Sequence, residues 1–343
     1  MRIGVLTGGS DAPGLNAAIR AVARRAFQYG CEVYGIYGGW LGLLEDQVQE
    51  FKLQAASGIL HVGGTILGAT RTNPFMRPGG PETVKSTMSK HGLDRLVVIG
   101  GIDTLNVAYR FCDEYCIPLV GIPKTIDNNV RGTDQCIGFD SAVSTVAEAL
   151  DKLHTTASAH SRAIIVEVMG RESGWLATLG GLAGGADYIV IPEVSSTVAE
   201  VCEHLERRAG MGKRHSIIVV AEGAAIGDLD ETPTLGPRDE FGHIRMDRRG
   251  LGEALARAVE KCSGFEARFV VLGHLQRGGS PTVFDRVLAT RMGVQAVDMV
   301  REGRLGQMTA LRGNRIEPVP LSVVATGLRH VDVELYNLAQ IFF

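Results

Sequence analysis

Residues 118–129 read Pro118-Leu119-Val120-Gly121-Ile122-Pro123-Lys124-Thr125-Ile126-Asp127-Asn128-Asn129. The first half is a short apolar run of the kind that ends a strand buried on both faces. The second half is polar and begins where that strand stops. Open α/β sheets take their ligands just beyond the carboxyl ends of their strands, so this junction is expected to be both a strand terminus and a site. Asp127 stands there among a hydroxyl (Thr125), an amide (Asn128) and a cation (Lys124). In that company a carboxylate stays ionised and can accept a proton from a substrate hydroxyl. The plainer reading is a proline-led turn whose Asp only satisfies backbone amides.

On both sides of this stretch, strand and helix signals alternate. Toward the amino end, strands are expected over 3–7, 32–37 and 95–99, and helices over 15–28, 81–91 and 104–114. Short helices are expected in the irregular stretch 43–59. Beyond the junction the pattern continues with helix 139–154, strand 163–169, helix 174–184, strand 188–191, helix 197–208 and strand 216–221. Residues 223–247, with Pro233, Pro237 and many charges, read as a loop or short hairpin. Helix 251–261, strand 267–272, helix 282–301, a late strand within 308–320 and a short tail helix complete it. Such alternation means βαβ units with right-handed crossovers: an α/β protein of two doubly wound lobes with largely parallel sheets.

Composition agrees. A chain of 343 residues exceeds the usual single-domain size, and 45% hydrophobic residues with 6% aromatic suit an α/β interior. The formal charge of −3, from 35 Lys+Arg against 38 Asp+Glu, is nearly balanced and points to neither a nucleic-acid patch nor a basic membrane-surface helix. No apolar segment is long enough to span a bilayer. The six cysteines (Cys31, Cys112, Cys116, Cys136, Cys202, Cys262) are scattered and offer no zinc-ligand pairs, so they read as core thiols of a reducing, cytoplasmic compartment. The strand that begins at the first residues leaves no room for a signal peptide.

Three glycine-rich turns follow strands: Gly8-Gly9-Ser10-Asp11, Gly63-Gly64-Thr65 with Arg71, and Gly100-Gly101-Ile102-Asp103-Thr104. Each can aim bare amides at an anion, and the first and third open helices whose positive ends favour phosphate. Glycine also simply permits tight turns, yet three such turns beside Lys124 and Asp127 favour phosphate chemistry. None matches the dinucleotide or P-loop fingerprint. The second half supplies Arg162, Arg171, Arg268, His274 and Arg277 at strand ends, expected to face one cleft as a phosphate clamp. Glu222 would be costly there unless it bonds a sugar hydroxyl or pairs with one of these cations. Arg20, Arg24, Arg25, Asp187 and Lys213 read as solvated surface groups, with an effector role as the alternative.

At this point the chain resembles the phosphofructokinase family nearly end to end. The signatures are Thr7-Gly8-Gly9, Asp11-Ala12-Pro13-Gly14-Leu15-Asn16, Gly63-Gly64-Thr65 with Arg71, Pro123-Lys124-Thr125-Ile126-Asp127-Asn128, Met169-Gly170-Arg171 and Gly273-His274-Leu275-Gln276-Arg277-Gly278-Gly279. The nearest likeness is to the actinobacterial, pyrophosphate-dependent type. The resemblance implies Asp127 as the base for the C1 hydroxyl of fructose 6-phosphate. It implies Thr125, Ile126, Met169, Gly170 and Arg171 at the sugar and transferred phosphoryl, with Thr125 and Arg171 sharing in catalysis, and Glu222 at sugar hydroxyls. Arg268, His274, Leu275, Gln276 and Arg277 would hold the 6-phosphate end, with Arg162 reaching in from a neighbouring subunit of a homodimer or homotetramer. Gly9, Ser10, Arg71, Gly101, Asp103 and Lys124 would face the donor. Residues 1–138 with about 276–321 would form the donor-phosphate lobe, and 139–275 with about 322–343 the sugar-phosphate lobe.

Donor choice follows from two positions. Asp103 stands where nucleotide-using relatives carry glycine and repels an α-phosphate, and Lys124, also in place of glycine, can neutralise a pyrophosphate oxygen. Three positions depart from the family pattern. Ile102 replaces the acidic residue that holds Mg2+, leaving Asp103 as the possible ligand; Ser10 replaces a glycine of the donor loop; Asn129 replaces a second Asp. Together they imply lowered turnover, since phosphoryl transfer rests on positioning and neutralising cations. The expected activity is phosphorylation of fructose 6-phosphate by pyrophosphate with Mg2+. The alternatives are ATP as donor, another ketose phosphate such as sedoheptulose 7-phosphate as acceptor, or a sugar-phosphate-binding paralogue of little activity.

Overall fold

A computed structural model describes residues 1–229, 240–242 and 250–343. In chain order the elements begin β1 (Arg2–Gly8), α1 (Leu15–Gln28), β2 (Glu32–Ile36), α2 (Trp40–Leu44), β3 (Val48–Glu50), α3 (Gly80–His91), β4 (Arg95–Gly100), α4 (Ile102–Tyr115) and β5 (Leu119–Pro123). They continue α5 (Phe139–His160), β6 (Ala163–Val168), α6 (Trp175–Ala183), β7 (Tyr188–Val190), α7 (Val198–Gly210), β8 (Ser216–Ala221), α8 (Leu251–Ser263) and β9 (Ala267–Val271). The last are α9 (Val283–Arg301), β10 (Gln307–Arg312), β11 (Arg315–Pro320) and α10 (Val333–Gln340).

The chain divides into two compact units, Met1–Ser141 with Arg277–Leu328, and Ala142–Gln276 with Arg329–Phe343. The last crossing follows Leu328 instead of about 321, because a 3-10 turn at Leu321–Thr326 buries Leu321 and Val324 against α4.

The first unit holds a seven-stranded sheet in the order β11-β10-β5-β4-β1-β2-β3. Its five inner strands pair parallel, with Val5 opposite Val97 and Val97 opposite Val120. These strands are apolar on both faces because helices cover both sides. Each fully buried Ile or Val contributes about 1.5–3 kcal/mol over its exposed state. Both edge strands are antiparallel: β3 on β2, and β11 folding back on β10 as a hairpin. Short helices alone were expected where β3 forms, and one strand where the hairpin lies. Helices α1 and α9 pack together closely at Gly293, where an added Cβ would lie 2.7 Å from Ala21 Cβ and 2.9 Å from the Ala18 carbonyl.

The second unit has a four-stranded sheet, β7-β8-β6-β9, all parallel. A capping box at Thr197 and Glu200 starts α7. Helices α7 and α8 pack on this sheet and carry Cys202 and Cys262, which form a disulfide with Cα atoms 6.3 Å apart. This corrects the expectation of six core thiols, as does Cys116, exposed at the end of α4 in a left-handed turn. The buried carboxylate of Glu193 accepts hydrogen bonds from the Gly174 amide ahead of α6 (3.0 Å) and from the Val331 amide (3.0 Å). Tyr336 on α10 donates to the Ile189 carbonyl at 2.9 Å. The expected loop at 223–247 lies in part outside the described residues, Pro233, Pro237 and Asp247 included.

Among the described residues, no helix is long and apolar enough to cross a membrane.

Candidate active site

In the first unit, three carboxyl-terminal strand ends carry loops expected to face the donor. Strands β1 and β4 end side by side, Gly8 opposite Gly100, and Gly100 stands opposite Pro123 of β5. Side chains at Gly8 and Gly100 would meet Thr104 of α4 at 2.6 and 2.4 Å, so glycine lets the two turns close over that helix. The Asn16 amide of α1 shapes the second glycine loop, donating to the carbonyls of Val62 (3.0 Å) and Gly63 (3.2 Å) and accepting from the Ile66 amide at 2.8 Å. The Gly9 amide donates to the Thr70 carbonyl at 3.0 Å, which places Ser10 beside Arg71.

Ser10 meets Arg71. Its hydroxyl accepts from Arg71 Nε (3.1 Å) and Nη2 (2.7 Å). Lys124 is only 2% exposed and lies beneath the same loop. Its ammonium donates to the carbonyls of Gly8 (3.2 Å) and Ser10. Burial pulls its pKa down to about 7, and the nearby Arg277 adds repulsion, while Asp11 and Asp127 act the other way. Arg277, itself buried, donates through Nη1 to the Asp11 carbonyl at 3.2 Å. Asp103 and Ile102 form the first turn of α4, behind Gly101, whose Cβ position lies 3.4 Å from the Lys124 carbonyl.

The loop that carries Asp127 is pinned from both sides. Lys124 bridges Ile137, and the Thr125 amide donates to the Ile137 carbonyl at 3.1 Å. Asn128 takes a left-handed φ of 50° and anchors the return segment, accepting from the Cys136 amide at 2.9 Å. Asp127 is buried, and its amide donates to Thr125 Oγ1 at 3.1 Å. The Asn129 side chain is buried too, and its Oδ1 makes no hydrogen bond among the described residues. Asp285 of α9, unnoticed in the sequence, accepts from the Gly138 amide (2.9 Å) and from the Ser141 amide (2.9 Å) and hydroxyl (2.6 Å). It thereby fixes the start of α5, directly after the return segment. Burial raises its pKa to about 6, with Ser141 opposing.

In the second unit, the carboxyl edge of the sheet holds Met169, Gly170, Arg171, Glu222 and His274. Gly170 (φ 143°) and Arg171 (φ 53°) have left-handed backbones. Glu222 accepts from both their amides, at 3.3 and 3.1 Å. Its carboxylate is therefore engaged by backbone amides, a partner the sequence did not suggest. Gln276 is buried, accepting from the Met169 amide at 3.3 Å and donating to the Gly273 carbonyl at 3.1 Å. Leu275 is 70% exposed, and His274 is exposed beside it.

Arg162 and Arg268 are elsewhere. Both lie at the amino ends of their strands, with Ala163 opposite Ala267. Glu266 holds them together, accepting from Arg162 Nε at 2.7 Å and from Arg268. The Arg162 hydrogen bond keeps the Glu266 pKa low. The expectation that the five cations face one cleft is thus corrected: Arg162 and Arg268 occupy one edge of this sheet, and Arg171 and His274 the other. The position of each residue relative to its strand carried that signal. Two residues read as solvated are also engaged: Arg25 pairs with Asp298 (2.7 Å) and Asp187 with Arg208 (2.7 Å).

Among the described residues, no group of three or more His, Cys, Asp or Glu side chains could form a metal site.

The phosphofructokinase family model matches residues 2–300. The chain belongs to the phosphofructokinase family. It is 48% identical over the full length of both chains to the pyrophosphate–fructose 6-phosphate 1-phosphotransferase of Streptomyces coelicolor. It is 47% identical to the ATP-dependent 6-phosphofructokinase of Corynebacterium efficiens, covering 100% of this chain and 99% of the other. The phosphofructokinase structure from Saccharomyces cerevisiae superposes with a TM-score of 0.82 at 32% identity, covering 99% of this chain and 47% of that one. The pyrophosphate-dependent phosphofructokinase from Marinobacter aquaeolei, at 24% identity, shares the fold with a TM-score of 0.82 over 97% of this chain and 86% of that one. The two-lobed, largely parallel α/β fold read from the sequence is that of this phosphofructokinase.

Proposed function

We propose that this chain transfers a phosphoryl group from pyrophosphate to the C1 hydroxyl of fructose 6-phosphate. Relatives named for pyrophosphate and for ATP are almost equally similar to it, so overall identity does not choose the donor. The observation that carries the choice is the pair Asp103 and Lys124. Asp103 puts a carboxylate in the first turn of α4, where it opposes the extra phosphate and nucleoside of ATP. Lys124 places its amine directly under the donor loop, where the charge of an arriving phosphate favours its protonated form.

In the transfer, Asp127 accepts the proton as the C1 oxygen attacks the near phosphorus of pyrophosphate. The bridging P–O bond breaks, and inorganic phosphate leaves with the electron pair. Positioning and cations supply most of the rate in such reactions. Lys124 and Arg71 serve the donor phosphates, and Arg171 the transferred group. Mg2+, when bound, would neutralise phosphate charge; Ile102 offers it no ligand. Arg162 and Arg268 would grip the 6-phosphate of a neighbouring subunit in a homo-oligomer.

The test is turnover of the purified protein with fructose 6-phosphate, Mg2+ and each donor in turn. Fructose 1,6-bisphosphate should form faster from pyrophosphate than from ATP. Faster formation from ATP would overturn the donor assignment.

A further inference from the structure

Ser10 joins the two cations assigned to the donor. Its carbonyl accepts from Lys124 and its hydroxyl accepts from two N–H groups of Arg71. A glycine here would keep the first link and lose the second. We propose that Ser10 is a positioning residue that orients the Arg71 guanidinium for the phosphate chain of the donor. The proposal rests on the reading of this loop as a phosphoanhydride site, though not on which donor fills it.

Arg71 is an exposed side chain, and such a chain loses substantial rotamer freedom when it binds. A guanidinium recognises phosphate through a flat fork of fixed geometry, so its orientation decides how many bonds it makes. The hydroxyl of Ser10 engages the Nε–Nη2 edge and fixes the plane of that fork before the donor arrives. Ser10 is rooted, since its carbonyl is tied to the buried Lys124 and the neighbouring Gly9 amide to Thr70. The serine that stands in place of the family's glycine thus acts through Arg71 and not by crowding the donor.

The test is a double-mutant cycle on donor affinity, measured calorimetrically with pyrophosphate and separately with ATP, at saturating fructose 6-phosphate with Asp127→Asn in every protein to prevent turnover. Ser10→Ala should weaken donor binding about fivefold, the cost of ordering one long side chain when the donor binds. Ser10→Thr, which keeps the hydroxyl, should restore affinity to within about twofold. In an Arg71→Met background, Ser10→Ala should have no further effect. Fructose 6-phosphate affinity should be equal in all variants. A cycle that closes with ATP but not pyrophosphate would refute the donor assignment and uphold the role of Ser10. Unchanged or tighter donor binding in Ser10→Ala, or an equal loss with and without Arg71, would overturn the proposal, as would failure of the Asp127→Asn parent to bind either donor.

Discussion

The separation of Arg162 and Arg268 from Arg171 sets up a demanding test. Strand β6 spans Ala163 to Val168, with Arg162 just before it and Arg171 just after. Six strand residues rise about 20 Å, far more than an arginine side chain reaches. If both arginines serve one sugar phosphate, they must come from different subunits. Arg171→Ala and Arg162→Ala should each lower kcat/KM for fructose 6-phosphate about tenfold to a hundredfold, the range for lost charge-assisted bonds. A hybrid dimer with one copy of each variant has one site with both lesions and one with neither. Co-expression with two different amino-terminal tags and sequential capture isolates that hybrid. It should recover about half of wild-type activity in an isologous dimer. Activity no higher than the mean of the two variant homo-oligomers would refute shared sites.

Asp127→Asn should fold normally, bind fructose 6-phosphate and lose turnover by roughly a hundredfold or more, in the range for a general base; a steady-state assay with pyrophosphate checks this. Ile102→Glu should raise turnover and lower the Mg2+ needed for half-maximal rate without improving ATP as donor, read from Mg2+ titrations. Lys124 should make stability depend on pH. Unfolded, it holds its proton to about 10.4; folded, it releases it near 7. Between those values the unfolded chain binds more protons, so this group's contribution to stability rises with pH across that window. Urea denaturation at pH 7 and 9 should show the rise in wild type and a flatter response in Lys124→Met. Asp285→Ala should cost about 3 kcal/mol by stranding three buried donors, measured by the same method.

Much of this was written in the sequence where periodicity and glycine carry the signal. The apolar runs at 3–7, 95–99 and 118–122 have few alternatives to buried parallel strands, and the glycine turns could only be loops. The antiparallel edges were harder to read. Val48-Gln49-Glu50 is a strand because β2 offers it an open edge, not because three residues have a pattern. The hairpin turn at Gly313 was hidden inside one long late strand. Among site residues, local motifs pointed to phosphate chemistry, while long-range partners stayed invisible. Nothing near Ser10 announces Arg71, sixty-one residues away. Glu266 sits one residue ahead of β9 and was passed over, although its placement tells which edge Arg162 and Arg268 share. Glu222 reads as a sugar ligand because a carboxylate beside arginines invites that reading; that it also accepts from the Gly170 and Arg171 amides depends on a left-handed turn the sequence does not announce.

Glu193 gives the carboxyl-terminal segment a practical importance. The same carboxylate holds the Gly174 amide, three residues from Arg171, and the Val331 amide. Phe343 lies against Tyr188, with ring centroids 5.0 Å apart. A fusion partner or immobilising tag joined after Phe343 would therefore pull on a segment fastened to the loop that presents Arg171. Kinetic constants from such a protein would report the attachment as well as the enzyme. An amino-terminal attachment instead precedes β1 at Arg2, at the opposite end of that strand from Gly8.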